Sequence, residues 1–93
     1  MATTLYMVIE HFRGRDPVPV YRRFRDRGRL TPAGLHYVGS WVSAELDCCY
    51  QLMRCDDRAL LEQWMGEWAD LIRFEVVPVL TSPEAVEAVA PRL

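Results

Sequence analysis

Lysine and asparagine are absent from this chain of 93 residues, and cysteine occurs only three times. Other absences bound its function more tightly. No stretch reaches the roughly 18 uninterrupted apolar residues that a membrane-crossing helix needs. The first residues, MATTLYMVIEHF, have no charged leader region and no small-residue cleavage site. They read as a first strand, and the cytoplasm is the expected location. No glycine-rich segment has the spacing of a phosphate-binding loop. Neither His11 nor His36 has a second His or Cys at zinc-ligand spacing, so no metal and no cofactor is expected. Hydrophobic residues at 51% and charged residues at 26% are close to globular averages, which excludes a disordered tail or a linker. The length fits one domain spanning residues 1–93.

The odd cysteine count argues against a disulfide scaffold. Cys48 and Cys49, if they share a strand, point to opposite faces. Cys49 and Cys55 share a face but stand about 20 Å apart at the strand rise, too far to bridge. All three read as reduced, buried thiols. The net charge of −2 hides an asymmetry. Seven of the eleven arginines fall between Arg13 and Arg29, where only Asp16 and Asp26 oppose them. Aromatic interleaving there is thin and no nucleic-acid motif accompanies it, so the run reads as a solvated helix face or as contacts to acids elsewhere.

Along the chain, Thr4 to Phe12 alternates as a strand. Asp16 offers an N-cap and Pro17 a first helical position for a helix that stops at Gly28. Leu35 to Ala44 and Cys48 to Arg54 form a hairpin pair. Asp56-Asp57 opens a second helix, whose apolar positions from Leu60 to Ile72 recur at i, i+3, i+4 and i+7, with Gly66 weakening it without breaking it. Arg73 to Leu80 is a fourth strand, and Pro78 implies an edge position. Ser82 caps a last short helix from Pro83 through Ala90. The order βαββαβ predicts an α+β, ferredoxin-like domain with a four-stranded antiparallel sheet, two helices on one face and a short C-terminal helix. The strands are apolar on both sides, so a partner subunit is expected on the second face, as an isologous homodimer.

The segments YMVIEHF, PVYRRFRDRGR, LHYVGSWV, CYQLM and FEVVPVLTSPEA, with that order and length, resemble a family of small bacterial proteins of unknown function. That family is placed by fold with the dimeric α/β-barrel proteins. The resemblance covers nearly the whole chain and implies two sheets face to face around a cavity. The wider superfamily includes cofactor-free monooxygenases, haem-degrading enzymes and muconolactone isomerases, but shared fold transfers no activity. Its monooxygenases often use a polar amide with Trp and His, and here Gln51 is the only strand amide.

Strand parity assigns Met7, Ile9, Val38, Val42, Tyr50, Leu52, Phe74 and Val76 to the helix-covered side. Tyr6, Val8, Glu10, Tyr37, Trp41, Gln51, Met53, Arg73, Glu75 and Val77 then face the cavity, and a slip of one residue inverts a strand's contribution. The ligand-binding candidates are Glu10, Tyr37, Trp41, Gln51, Arg73 and Glu75, a mix of aromatic and polar groups typical of small-molecule pockets. Glu10 is the candidate acid or base, because a carboxylate in an apolar pocket holds its proton longer. Its competing reading is an ion pair with Arg73. Tyr37 and Trp41 either stack on a planar ligand or pack the barrel. The reading that follows is a homodimeric small-molecule-binding or accessory protein. Its alternative is a cofactor-independent monooxygenase or isomerase acting on a small aromatic or polyketide-like compound.

Overall fold

The computed structural model describes residues 3–93. Strand β1 (Thr4–Phe12) leads through a single turn of 3-10 helix into helix α1 (Val18–Arg27). Then come β2 (His36–Val42), β3 (Cys48–Cys55), α2 (Arg58–Gly66), β4 (Ile72–Val79) and α3 (Ser82–Val89). All strand pairs are antiparallel, in the order β2-β3-β1-β4. This is a ferredoxin-like α+β arrangement, with the first strand at the centre and the Pro78-bearing strand at an edge.

Local chemistry sets the element ends. The Asp16 carboxylate accepts from the Val18 amide at 3.0 Å, as an N-cap there would, although regular helix begins one residue later than expected, at Val18 rather than Pro17. Gly28 ends α1 at a φ of 73°, a conformation that glycine adopts without strain, and its amide donates to the Phe24 carbonyl at 2.8 Å. Asp57 caps α2 by accepting from Ala59 at 2.9 Å. That helix ends at Gly66 rather than continuing to Ile72. Beyond it the amides of Glu67, Trp68 and Leu71 bond three residues back, which tightens the chain into turns while still aiming Trp68 inward. The cap of α3 is Thr81 rather than Ser82: Thr81 and Glu84 exchange side-chain-to-backbone bonds at 2.9 and 3.3 Å. No residue of α3 is buried.

The face assignment is where the structure departs most from strand parity. On β1 the buried residues are Tyr6, Val8, Glu10 and Phe12, and on β3 they include Cys49, Gln51 and Met53. These face the helices, where they pack with Leu61, Trp64, Trp68 and Ile72. Met7, Ile9, Tyr50 and Leu52 are on the opposite face. Both sides of β1 and β3 are largely apolar, so alternation alone does not say which one the helices cover. On β4, Phe74 and Val76 do pack against the core, as parity has it. In β2 the register shifts between Tyr37 and Gly39. This bulge puts Tyr37, paired with Met53, on the helix side, and Trp41, paired with Tyr50, on the open side.

Candidate functional site

Glu10 is the centre of the site. It stands mid-sheet, paired with Cys49 on one side and Phe74 on the other, and only 6% of its surface is exposed. Gln51, buried on β3, donates through Nε2 to Glu10 Oε2 at 3.3 Å. The Arg29 Nε in turn donates to Gln51 Oε1 at 3.3 Å. The amide thus links a carboxylate and a guanidinium that form no direct salt bridge.

Arg29 is held by its surroundings at both ends. Its carbonyl accepts from the indole N–H of Trp64 and of Trp68, both at 3.0 Å. Those tryptophans lie four residues apart and therefore share one side of α2 and its trailing turn. Its guanidinium lies 3.7 Å from the Tyr37 ring centroid and 5.1 Å from that of Phe24. Tyr37 is itself bonded through its hydroxyl to Ser40 at 2.7 Å.

These groups surround a cavity of about 130 Å³ between the helices and the sheet. Glu10, Gln51 and Cys49 form its floor, and Phe12, Trp64 and Trp68 its walls. Tyr21 and Phe24, three residues apart on α1, stand half exposed at its opening. Phe12 and Tyr21 meet edge to face at 6.3 Å.

Burial raises the Glu10 carboxyl to about 7, against the smaller opposing pull of Arg29. Burial, followed by the neighbouring Glu10 and Cys48, pushes the Cys49 thiol up to about 12. A thiol so reluctant to ionise is not a nucleophile. Tyr21 is raised as well, by burial first and then by Cys49 and Glu10. Proton exchange near neutral pH therefore rests on Glu10 alone among these three. All three cysteines are free and buried. Among the described residues, no cluster of three His, Cys, Asp or Glu side chains is placed to hold a metal.

The residues singled out in the sequence fall into two groups. Glu10, Gln51 and Tyr37 are on the helix side and come together around Arg29. Trp41, Arg73 and Glu75 are on the open face, where Trp41, Tyr50, Ile9 and Glu75 line up across the strands. The Glu10–Arg73 ion pair does not form, because the two side chains occupy opposite faces. Glu75 instead accepts from His11 at 2.8 Å and lies 3.6 Å from Arg73. Arg29, Tyr21, Trp64 and Trp68 escaped the sequence reading. The signal available for the tryptophans was their pairing at i, i+4, since two indole N–H groups aimed into a core need acceptors there. Elsewhere in the arginine run, Arg15 meets Glu45 and Asp47, Arg23 meets Asp70 and Arg25 meets Asp26.

The βαββαβ order and the β2-β3-β1-β4 sheet define a ferredoxin-like α+β domain with its cavity inside the single chain. Within that class, the chain belongs to the family described as Domain of unknown function (DUF3303), whose model matches residues 4–93. No curated protein and no solved structure matches it. No helix among the described residues is long and apolar enough to cross a membrane.

Proposed function

We propose that this protein binds a small molecule in the cavity beneath α1 and α2, and that it works as a homodimer joined through the open sheet face. The observation that carries the first part is the Arg29–Gln51–Glu10 chain. Three polar side chains, two of them buried, converge on an aromatic-walled cavity under the helices, where apolar packing alone would be more stable. Titrating one-ring aromatic compounds while following tryptophan emission tests it, because Trp64 and Trp68 line the cavity. The expected result is a saturable change that Trp64→Phe diminishes. The absence of any saturable response up to millimolar compound would refute the reading.

The second part rests on Trp41, Tyr50 and Val77, which stay substantially exposed on a face that also carries Met7, Ile9 and Leu52. Sedimentation at micromolar concentration is expected to give twice the chain mass of 10.8 kDa. A persistent monomer would reject it. Free thiols support a reducing, cytoplasmic location. Arginines already engaged by acids on the same chain favour a small molecule over nucleic acid as the partner.

Glu10 favours a second reading, an acid–base enzyme such as a cofactor-independent oxygenase or isomerase. A carboxyl poised near 7 can take and return a proton at physiological pH. A cavity of about 130 Å³ suits a one-ring substrate better than a polyketide-sized one. In that case Glu10→Gln would abolish turnover while leaving substrate binding measurable.

A further inference from the structure

Resting on the binding reading above, we propose that the ligand is a single-ring hydroxyaryl acid, its hydroxyl donating to Glu10 at the floor and its carboxylate facing Arg29 at the opening.

Size comes first. A closed apolar cavity of roughly 150 Å³ accommodates benzene, so one of about 130 Å³ that opens to solvent suits a single ring whose outer substituent reaches the opening. The walls are the flat faces and edges of Phe12, Trp64 and Trp68, which favour a planar occupant over a branched aliphatic one.

Polarity then orients the ring. Glu10 Oε2 accepts from Gln51, whereas Oε1 receives no hydrogen bond from any described residue. No fully buried side-chain oxygen among the described residues lacks a partner, so Oε1 opens onto the cavity rather than being sealed in protein. An ionised carboxylate oxygen only accepts, so the ligand atom meeting it is a donor. At the other end, Arg29 forms no salt bridge with an acidic group among the described residues, and beyond its stacking on Tyr37 and Phe24 only its Nε is hydrogen-bonded to a side chain. Its remaining N–H groups suit a carboxylate.

The two charges together remove the simpler classes. A plain cation at the floor meets Arg29 on the way in. A plain anion gains from Arg29 but not from Glu10. A hydrocarbon leaves both unanswered. A ring with a hydroxyl opposite a carboxylate satisfies both ends without breaking the Gln51 link.

The test is calorimetric titration at pH 8 with 4-hydroxybenzoate, benzoate, phenol and toluene, on the parent chain and on Glu10→Leu and Arg29→Gln. On the parent, 4-hydroxybenzoate is expected to bind at least about tenfold more tightly than benzoate or phenol, as one charge-assisted hydrogen bond would give. Glu10→Leu should erase its advantage over benzoate, and Arg29→Gln its advantage over phenol. If either variant fails to fold, the ranking on the parent decides alone. Benzoate, phenol or toluene binding as tightly as 4-hydroxybenzoate overturns the ligand class but leaves a small-molecule pocket standing. Failure of all four to bind overturns both.

Discussion

The two faces of one four-stranded sheet have opposite characters here. The helix-covered face buries two polar residues, Glu10 and Gln51, whereas the polar groups of the open face, His11, Arg73 and Glu75, stay in reach of solvent. The open face presents Met7, Ile9, Tyr50, Leu52 and Val77 around a row that includes Trp41, 60% exposed. Burial of polar groups costs free energy unless they are bonded, and here Gln51 bridges Glu10 and Arg29, the arrangement on which the proposed ligand site rests. The exposed apolar residues of the other face are what the proposed subunit contact would cover.

The sharpest way to test that contrast is to remove a large side chain from the helix layer that covers the first face. Trp64→Ala should cost about 3–5 kcal/mol in urea unfolding, since Trp64 is almost wholly buried and its indole N–H holds the Arg29 carbonyl. Losing less than about 1 kcal/mol would mean the helix layer is loosely packed.

Glu10→Gln probes the polar part of the same face. Folding raises the Glu10 carboxyl from 4.5 to about 7, so the native state holds a proton that the unfolded chain has released between those values. The contribution is complete below 4.5 and is lost as pH rises to about 7. Glu10→Gln should therefore flatten the pH dependence, gaining about 3 kcal/mol over the parent at pH 8 and nothing at pH 4. Parallel stability curves for parent and variant would show that Glu10 is solvated after all.

On the open face, Ile9→Arg should raise the dissociation constant of the proposed dimer by about 100-fold, or about 3 kcal/mol, with the far-ultraviolet dichroism unchanged. An unaltered sedimentation profile would place the subunit contact elsewhere. The smallest effect belongs to Arg23, which donates to Asp70 through both terminal guanidinium nitrogens at 2.8 and 2.7 Å and ties α1 to the turn after α2. Arg23→Ala should cost about 1 kcal/mol, less in high salt, as a thermal melt would register.

Most of the architecture could be read from residue patterns. Caps at Asp57 and Gly28 and the proline in β4 each act locally, and each placed an element or its end within a few residues; the periodicity of α2 located the helix but carried it to Ile72, past its end at Gly66. The faces could not be read so directly. On β1, Tyr6 and Val8 differ too little from Met7 and Ile9 for alternation to choose a side, and the Val38 bulge that separates Tyr37 from Trp41 leaves no mark in hydropathy. Glu10 and Gln51 were visible as candidates because they interrupt apolar strands. Arg29 was hidden among six other arginines, and only the tertiary fold separates it from them by turning it onto Gln51.

The shared carbonyl of Arg29 also bears on kinetics. Two indole N–H groups hold one oxygen at 3.0 Å each, so the loop after α1 and the end of α2 form a single unit. A guest molecule exchanging with solvent cannot part them without breaking both bonds. A guest bound as proposed would pass between Tyr21 and Phe24, the half-exposed rings of the lining, which need only change rotamer. Its entry and exit would then be timed by side-chain rotation, on nanoseconds to microseconds, rather than by slow opening of the domain.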